Sequence, residues 1–310
     1  MRFVSLGECM VELRGAGEDL WRMGVAGDTL NTAWYARACL PADWSVAYAT
    51  AIGTDDLSAR VPAFLADNGI ETDRILTHPT RTIGLYAISL THGERSFTYW
   101  RDTSAARTLA DDPARLAALT DGAQVLHVSG ITLAILPPDG RRALLKILHT
   151  ARAAGVTVSL DPNLRPALWE DMETARQTLT EAARAASVVL PSFDDERTAF
   201  DDATPQETRA RYAALGADTV AVKNGGAEIH ARHHGTDHTF TPTERLVPVD
   251  TTGAGDSFNG AFLASLAVGG TLEAALADGH RVAATVIGQP GALVPMATVA
   301  PPPPTTGEHP

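Results

Sequence analysis

Short apolar runs rich in β-branched residues alternate along this chain with longer segments of helical periodicity. The runs predict strands at 125–128, 156–160, 188–190 and 219–223, and the longer segments between them predict helices at 138–153 and 171–185. This alternation is typical of βαβ units, in which parallel strands form one sheet covered by helices. The pattern therefore predicts an α/β fold with a mostly parallel sheet.

Polar side chains cluster where the predicted strands end. The clusters are Asp161-Pro162-Asn163-Leu164-Arg165, Ser192-Phe193-Asp194-Asp195-Glu196 and Lys223-Asn224-Gly225-Gly226. In open α/β sheets, ligands bind beyond the carboxyl ends of the strands. We expect the functional site at this edge of the sheet.

Two segments, 9–25 and 82–101, depart from the alternation because they contain stretches with a period of two. The clearest stretches are 84–90 and 95–100, and His92-Gly93-Glu94 supplies a turn between them. The pattern fits a β-hairpin that covers a cleft as a lid and excludes water from it. An ordinary hairpin at the edge of a sheet is the alternative.

Composition and charge narrow the function classes. The chain has 310 residues and a formal net charge of −12, and this charge argues against a nucleic-acid partner, because phosphate backbones require a basic surface. Its two cysteines suit a reducing compartment. No leader peptide and no apolar run of about 20 residues is recognisable. We expect a cytoplasmic protein with no membrane partner and a disordered, proline-rich tail at 301–310.

The segment Asp250-Thr251-Thr252-Gly253-Ala254-Gly255-Asp256 is a small-residue turn that leads into a predicted helix from Ser257. Glycines let successive N–H groups converge, and the helix N-terminus adds positive charge, so the turn can cradle an anion such as a phosphoryl group. Asp256 at its rim can accept a proton from a hydroxyl. The alternative is a glycine-rich loop with an aspartate as helix cap.

Three further polar sites carry candidate chemistry. Asp28 and Asn31 lie about one helical turn apart and can bind sugar hydroxyls, with Asp28 or Thr29 as the expected helix N-cap. Arg101 ends the predicted hairpin, and Arg165 follows a predicted strand. If the two guanidinium groups converge, they can grip a carboxylate, and this indicates a sugar acid as ligand.

Several of these motifs resemble one family. The segment D-T-T-G-A-G-D-S-F at 250–258 resembles the signature of the ribokinase-like (PfkB) family of sugar kinases. The segments at 7–13, 27–32, 93–101 and 161–169 are similar to the branch of that family that phosphorylates 2-keto-3-deoxygluconate. With the segments at 51–55 and 129–136, the resemblance spans residues 3–296.

The resemblance implies a single ribokinase-like domain at 1–300, with a three-layer α/β/α core and a small β-strand lid within about 9–25 and 82–101. It implies phosphoryl transfer from ATP, with Mg²⁺, to the terminal (6-) hydroxyl of the sugar acid. Asp256 is then the general base, and Gly253, Ala254 and Gly255 supply amides of the anion hole. The substrate-binding residues that it implies are Gly27, Asp28, Asn31, Tyr86, Tyr99, Arg101, Arg165 and Asp256.

The resemblance also implies sites for cofactors. ATP is expected near Asn163, Lys223, Gly225, Gly226, Gly253, Gly255 and His280. Many relatives organise the metal with an N-x-x-E motif, but here the equivalent stretch is Ser192-Phe193-Asp194-Asp195, followed by Glu196. Asp195 is the first candidate for orienting Mg²⁺, and Glu196 is the second. A monovalent cation such as K⁺ is expected at Asp250 and Thr252.

Two other functions fit parts of the pattern. A related sugar kinase such as a fructokinase shares the 250–256 turn, although Arg101 and Arg165 argue against a neutral sugar. A non-catalytic sensor of sugar acids fits the altered 192–195 stretch, although Asp256 and the intact turn argue against it. The exposed strand edges of the lid also predict a homo-oligomer formed through the lid.

Overall fold

The computed structural model describes residues 1–17, 20–91, 94–242 and 246–301, with the backbone alone at 90–91 and 94–95. Within these ranges the strands are β1 (Arg2–Leu6), β2 (Met10–Gly15), β3 (Trp21–Ala26), β4 (Ser45–Ile52), β5 (Ile75–Thr77), β6 (Gly84–Thr91), β7 (Glu94–Trp100), β8 (Val125–Ser129), β9 (Thr157–Asp161), β10 (Val188–Val189), β11 (Thr219–Val222), β12 (Ile229–His233) and β13 (Thr236–Phe240). The predicted tail lies outside the described residues, except for Pro301.

Helices connect most of these strands. They are α1 (Asp28–Cys39), α2 (Arg60–Asp67), α3 (Pro113–Thr120), α4 (Gly130–Ile135), α5 (Pro138–Ala153), α6 (Met172–Ala185), α7 (Phe193–Phe200), α8 (Pro205–Ala214), α9 (Ala254–Ala267), α10 (Leu272–Ile287) and α11 (Met296–Val299), with 3₁₀ turns at Ala105–Thr108 and Pro166–Leu168. In the described part of the chain, no helix is both long and apolar enough to cross a bilayer.

A nine-stranded sheet forms the centre of the molecule, in the order β13-β12-β11-β10-β9-β8-β1-β4-β5. Neighbouring strands from β11 to β5 are parallel, and only the β12–β13 hairpin adds antiparallel pairs at one edge. The predicted α/β fold with a mostly parallel sheet is confirmed. The carboxyl ends of β9 and β11 bring Asp161 and Lys223 to one edge of the sheet.

Helices cover both faces of the large sheet, because successive side chains of a strand point to opposite sides. Phe3 of β1 packs in a core cluster with side chains of α1, α9 and α10. The next residue, Val4, packs in a second cluster with side chains of α5, α6 and α8. The core is therefore a three-layer α/β/α arrangement, as expected.

A separate four-stranded sheet, called here the small sheet, has the order β3-β2-β6-β7. Its strands fall within the segments 9–25 and 82–101, whereas residues 92–93 of the expected turn lie outside the described residues. One of its faces packs Val11 into the main core. The other face packs Met10, Tyr86 and Ile88 in a cluster of their own that includes Ala292. The second face is therefore turned toward the segment that follows α10.

Candidate functional site

The turn at 250–253 leads directly into α9. Gly253 is the N-cap of α9 in the left-handed conformation, with φ 74° and ψ 5°. A methyl group at Gly253 would lie 2.9 Å from the carbonyl oxygen of Ala292. Both the conformation and the lack of space therefore require glycine. The first N–H groups of a helix have no acceptor within the helix, so residues 253–256 are suited to hold an anion and are called here the anion cradle. The Ala254 N–H is already engaged, because it donates to the carbonyl oxygen of Thr251 at 3.2 Å.

Asp250 holds this cradle in place from the preceding loop. Its Oδ1 accepts a hydrogen bond from the Thr252 N–H at 2.9 Å, and its Oδ2 accepts one from the Gly291 N–H at 2.7 Å. Asp250 is buried. The carboxylate thus ties the start of the cradle to the segment between α10 and α11.

Asp256 lies in the first turn of α9, at the rim of the cradle. Its Oδ2 accepts a hydrogen bond of 2.8 Å from the amide of Asn31 on α1. Burial and the nearby charge of Asp28 raise the pKa of Asp256 to about 7, against the hydrogen bond from Asn31 and the charge of Lys223, which lower it. A general base works best when its pKa lies near the working pH, so this carboxylate suits proton abstraction near neutrality.

The N-terminus of α1 supplies the polar groups beside Asp256. Gly27, rather than the expected Asp28 or Thr29, is its N-cap, and it has no side-chain cap hydrogen bond. A methyl group on Gly27 would lie 2.4 Å from the carbonyl oxygen of Glu8, so the chain passes too close for a side chain. Asp28 is left to accept a hydrogen bond of 2.9 Å from the amide of Asn163. The structure thus brings Asp28, Asn31 and Asp256 together.

A buried polar network that we did not predict lies below the cradle. Lys223 Nζ donates to Asp161 Oδ2 at 2.8 Å and to Asn259 Oδ1 at 3.0 Å, and Asn259 Nδ2 donates to Asp161 Oδ2 at 2.6 Å. Burial would raise the pKa of Asp161, but the charge and hydrogen bond of Lys223 hold it below its usual value. A methyl group on Gly255 would lie 3.4 Å from Lys223 Nζ, so this ammonium is close beneath the cradle.

Arg101, predicted to help grip a ligand carboxylate, already has a carboxylate partner within the protein. It is buried, and its Nη2 donates to Glu8 Oε2, while Ser104 Oγ donates to Glu8 Oε1 at 2.5 Å. Burial raises the pKa of Glu8, and the charge of Arg101 opposes this. Arg101 Nε is buried and has no hydrogen-bond partner among the described residues. The protein itself balances the charge of Arg101, while Nε is left as an unused donor.

Arg165 has a different environment. Its side chain is 51% exposed, and Nη1 donates to the carbonyl oxygen of Leu164 at 2.7 Å, with a weaker contact of 3.5 Å to Asp195 Oδ2. Arg165 is therefore the more accessible of the two arginines. The carboxylate clamp remains a prediction, and Arg165 is the group better able to reach an incoming anion.

The two predicted tyrosines lie side by side on the small sheet. Tyr86 and Tyr99 pair across β6 and β7, with ring centroids 5.8 Å apart. Tyr86 is buried and donates its hydroxyl hydrogen to Glu12 Oε2, and burial together with the charge of Glu12 raises its pKa. Tyr99 is half exposed. Glu12 belongs to the segment 7–13 that carries part of the family resemblance, but the sequence analysis assigned it no role.

The two Mg²⁺ candidates differ in how fully they are engaged. Glu196 is buried and accepts hydrogen bonds from Arg211 Nη2 at 2.7 Å and Tyr212 Oη at 2.9 Å. Asp195 is partly exposed, and its Oδ2 lies 3.5 Å from Nη1 of Arg165. The Asp195 carboxylate is the less engaged of the two, whereas Glu196 is committed to its ion pair with Arg211, so Asp195 stays the first candidate for Mg²⁺. Over the described ranges, no three His, Cys, Asp or Glu side chains group as a metal site.

The remaining ATP candidates lie in the turn between β11 and β12 and on α10. Gly225, with φ 55°, and Gly226 are exposed in the turn between β11 and β12. His280 on α10 lies with its ring 5.5 Å from that of Phe240, and burial lowers its pKa. Their roles toward ATP remain predictions.

Comparison with known proteins identifies the family to which this chain belongs. The family model described as "pfkB family carbohydrate kinase" matches residues 2–299. The 2-dehydro-3-deoxygluconokinase of Haemophilus influenzae is 36% identical over 300 residues, covering 94% of this chain and 95% of that protein. Fructokinase-1 of Zea mays is 30% identical over 224 residues, covering 70% of this chain and 67% of that protein.

Solved structures agree on the fold. The crystal structure of the 2-dehydro-3-deoxygluconokinase of Thermotoga maritima matches with a TM-score of 0.84 and 21% identity, covering 96% of this chain and 98% of that one. The family resemblance seen at 250–258 therefore extends over nearly the whole chain. The chain belongs to the pfkB family of carbohydrate kinases, whose activity requires ATP and a divalent metal.

Proposed function

We propose that this chain transfers the γ-phosphoryl group of ATP to the terminal (6-) hydroxyl of 2-keto-3-deoxygluconate, which is also called 2-dehydro-3-deoxygluconate. The observation that carries the proposal is the position of Asp256, at the rim of the anion cradle and hydrogen-bonded to Asn31. The name and the near-complete coverage of the Haemophilus influenzae relative support the choice of substrate.

The proposed reaction begins with the sugar hydroxyl against Asp256. Asp28 and Asn31 lie beside this carboxylate and can hold neighbouring hydroxyl groups. Asp256 accepts the hydroxyl proton while the oxygen attacks the γ-phosphorus in line and ADP leaves. The amides of Gly253 and Gly255 are the donors proposed to face the charge that develops on the transferred group, since the Ala254 amide, also predicted for this role, donates to the carbonyl oxygen of Thr251.

The ion sites are proposed from how fully each carboxylate is already hydrogen-bonded within the protein. Asp195 is the residue that would hold a hydrated Mg²⁺, which supplies charge neutralisation for the phosphates when bound. Asp250 and Thr252 are proposed to border a K⁺ site, because Asp250 already gathers backbone groups from two segments. Lys223, Asn163, Gly225, Gly226 and His280 are proposed to border ATP.

Selectivity for an acid is proposed to come mainly from Arg165. Its accessible guanidinium can bind the sugar carboxylate, while Arg101, paired with Glu8, contributes its remaining donors from within the protein. Arg165→Ala should raise the KM for the sugar acid at least about tenfold and leave the KM for ATP within about twofold. Equal changes in both KM values would contradict the carboxylate role.

The decisive experiment is a coupled ADP-release assay with purified protein, ATP and Mg²⁺. The sugars offered in parallel are 2-keto-3-deoxygluconate, gluconate, fructose and ribose. Preference for the keto-deoxy acid supports the proposal. Preference for fructose would retain Asp256 as base but replace the substrate, and ADP release with none of them would favour a sugar-acid sensor.

Two further features are proposed from the surface and the cysteines. Large apolar side chains are exposed on and beside the small sheet, and we propose that they pair two copies of the chain: Leu20, Trp21, Met23, Phe97, Tyr99 and Trp100. Sedimentation of Trp100→Lys as a smaller species than the wild type would support this pairing, and unchanged sedimentation would contradict it.

Both cysteines are free, in keeping with a cytoplasmic location.

A further inference from the structure

The small sheet touches the segment 288–295, which connects α10 to α11. Ala292 of this segment is buried in one apolar cluster with Met10, Tyr86 and Ile88 of the small sheet. Its carbonyl oxygen also accepts a hydrogen bond of 2.6 Å from Tyr35 Oη on α1. Ala292 is therefore a point where the small sheet meets the core.

Arg14 makes a second contact to the same segment. A methyl group on Gly291 would lie 2.6 Å from Nη1 and 2.7 Å from Nη2 of Arg14, so the guanidinium occupies the space that a side chain would need. Gly291 has φ 99°, a conformation that favours glycine. Arg14 Nη2 also donates to Glu12 Oε1 at 2.7 Å. The guanidinium is therefore held by the Glu12 carboxylate, and its planar group lies against the backbone of Gly291.

This segment backs the anion cradle directly. The Gly291 N–H bonds to Asp250 Oδ2, and the other oxygen of Asp250 holds the Thr252 N–H. Gly253 packs against Ala292 so closely that a methyl group would lie 2.9 Å from its carbonyl oxygen and 3.0 Å from its Cα. A displacement of Gly291 and Ala292 therefore moves the start of the cradle at Gly253 and the Asp250–Thr252 loop that leads into it.

We propose that Arg14 is a positioning residue for phosphoryl transfer, which fixes the Gly291–Ala292 backbone against the anion cradle from the small sheet. This inference rests on the proposed role of residues 253–256. Arg14 does not need to touch either substrate: it acts through Gly291, Asp250 and Gly253. A misplacement of about 1 Å in a catalytic site can cost up to about a hundredfold in rate, so a contact of this kind has a measurable effect.

The competing explanation is that Arg14 serves only Glu12, and through it Tyr86. In that case its removal loosens the sugar-facing side of the small sheet and changes sugar binding alone. The two explanations differ in which kinetic constant changes. Misplaced cradle amides lower kcat, because they stabilise the transition state, whereas a loosened sugar pocket raises the KM for the sugar.

The test compares Arg14→Ala with Arg22→Ala in the ADP-release assay. Arg22 is the matched control because it faces Arg14 across β2 and β3 and is exposed, so its loss removes the same charge from the same sheet. For Arg14→Ala we expect kcat to fall about tenfold, with the KM for ATP within about twofold of the wild type. Arg22→Ala should retain both constants and the wild-type melting temperature. Arg14→Ala leaves the buried Glu12 carboxylate without its cation and should melt at a lower temperature, so kcat is compared at a temperature at which circular dichroism shows both variants folded.

Arg14→Lys separates charge from shape. Lysine keeps a cation for Glu12 but lacks the planar fork that lies against Gly291, so kcat should remain about three- to fivefold low while the KM for the sugar returns to the wild-type value. Full recovery of kcat in Arg14→Lys would overturn the proposal, as would an Arg14→Ala variant that changes only the KM for the sugar.

The outcome is distinguishable from a failure of the proposed substrate. The wild-type enzyme reports its substrate first, and all variants are then compared on whichever sugar it phosphorylates. If that sugar is fructose, the substrate proposal fails, but the kcat ratio of Arg14→Ala to Arg22→Ala still tests the positioning role.

Discussion

Asp161 and Lys223 in the core half of the site are buried and bonded to each other, whereas Tyr99 and Trp100 on the small sheet are 50% and 58% exposed. The core half places its groups through helix α9, the ends of β9 and β11, and the N-terminus of α1. Beside the small sheet, Glu8 in the loop before β2 pairs with Arg101 just after β7, and within β2 Glu12 pairs with Arg14.

This difference separates two tasks. Groups that act on the transferred phosphoryl need fixed positions, and buried hydrogen bonds supply them. Groups that select and enclose the sugar need access and movement, which a sheet with exposed aromatic side chains allows. We therefore expect changes in the core half to affect kcat, and changes in the small sheet to affect sugar binding or stability, with Arg14 as the exception.

The largest effect is expected at Asp256 in the core half. Asp256→Asn removes the proton acceptor but keeps the shape, so turnover should fall about 10²- to 10⁴-fold while calorimetry shows ATP and sugar affinity close to the wild type. Asp139→Asn, at an exposed position on α5, is the control and should keep full turnover. Near-normal turnover of Asp256→Asn would show that another group is the base.

Next to the small sheet, the buried pair of Glu8, before β2, and Arg101, after β7, should be important for stability. Arg101→Met leaves the Glu8 carboxylate buried without its cation, and this should cost about 3–5 kcal/mol in the free energy of unfolding, measured with urea. The double variant with Glu8→Leu removes both charges and should recover most of that loss. If the single variant is as stable as the double variant, the pair does not have the role given to it here.

Gly253 tests whether the cradle depends on close packing. Gly253→Ala both strains the left-handed conformation and places a methyl group against Ala292, so kcat should fall at least about tenfold with a loss of stability. Gly235→Ala is the matched control, because Gly235 has φ 85° but nothing within 4 Å of an added methyl group. It should lose about 1–2 kcal/mol of stability and no activity. Equal kcat values for the two variants would remove the packing argument.

The smallest expected effect is a shift in pH dependence. Asp256 must be deprotonated to act, so kcat/KM, which reports groups of the free enzyme, should rise with pH through a midpoint near 7, the value to which burial and the charge of Asp28 raise its pKa. Asp28→Asn removes that like charge and should move the rise to lower pH. Asp139→Asn should leave the profile unchanged. A midpoint that does not move in Asp28→Asn would mean that a different group titrates.

Much of the architecture could be predicted from local pattern. Helix α5 covers Pro138–Ala153 as predicted, and β9, expected at 156–160, is found at Thr157–Asp161. The cradle could also be predicted, because a left-handed glycine followed by a helix is a local feature of the chain. Strand β10 is shorter than expected, with only Val188–Val189.

The partners of the site residues could not be predicted in the same way. Lys223 is separated from Asp161 by 62 residues and from Asn259 by 36, so no spacing rule connects them. Glu8 and Arg101 lie 93 residues apart, and the sequence predicted a ligand carboxylate, not Glu8, as the partner of Arg101. The expected N-cap of α1 was wrong because the approach of Gly27 to the Glu8 backbone is a tertiary contact.

The sequence by itself determined the α/β fold, the helix-forming turn at 250–256 and the acid at its rim, since these depend on periodicity and on neighbouring residues. Only the tertiary structure decided which distant charges are paired, Arg101 with Glu8 and Lys223 with Asp161, and that Arg14 lies against Gly291. The physical reason is that burial and distance set the pairing of charges, and both arise only when distant segments of the chain pack together.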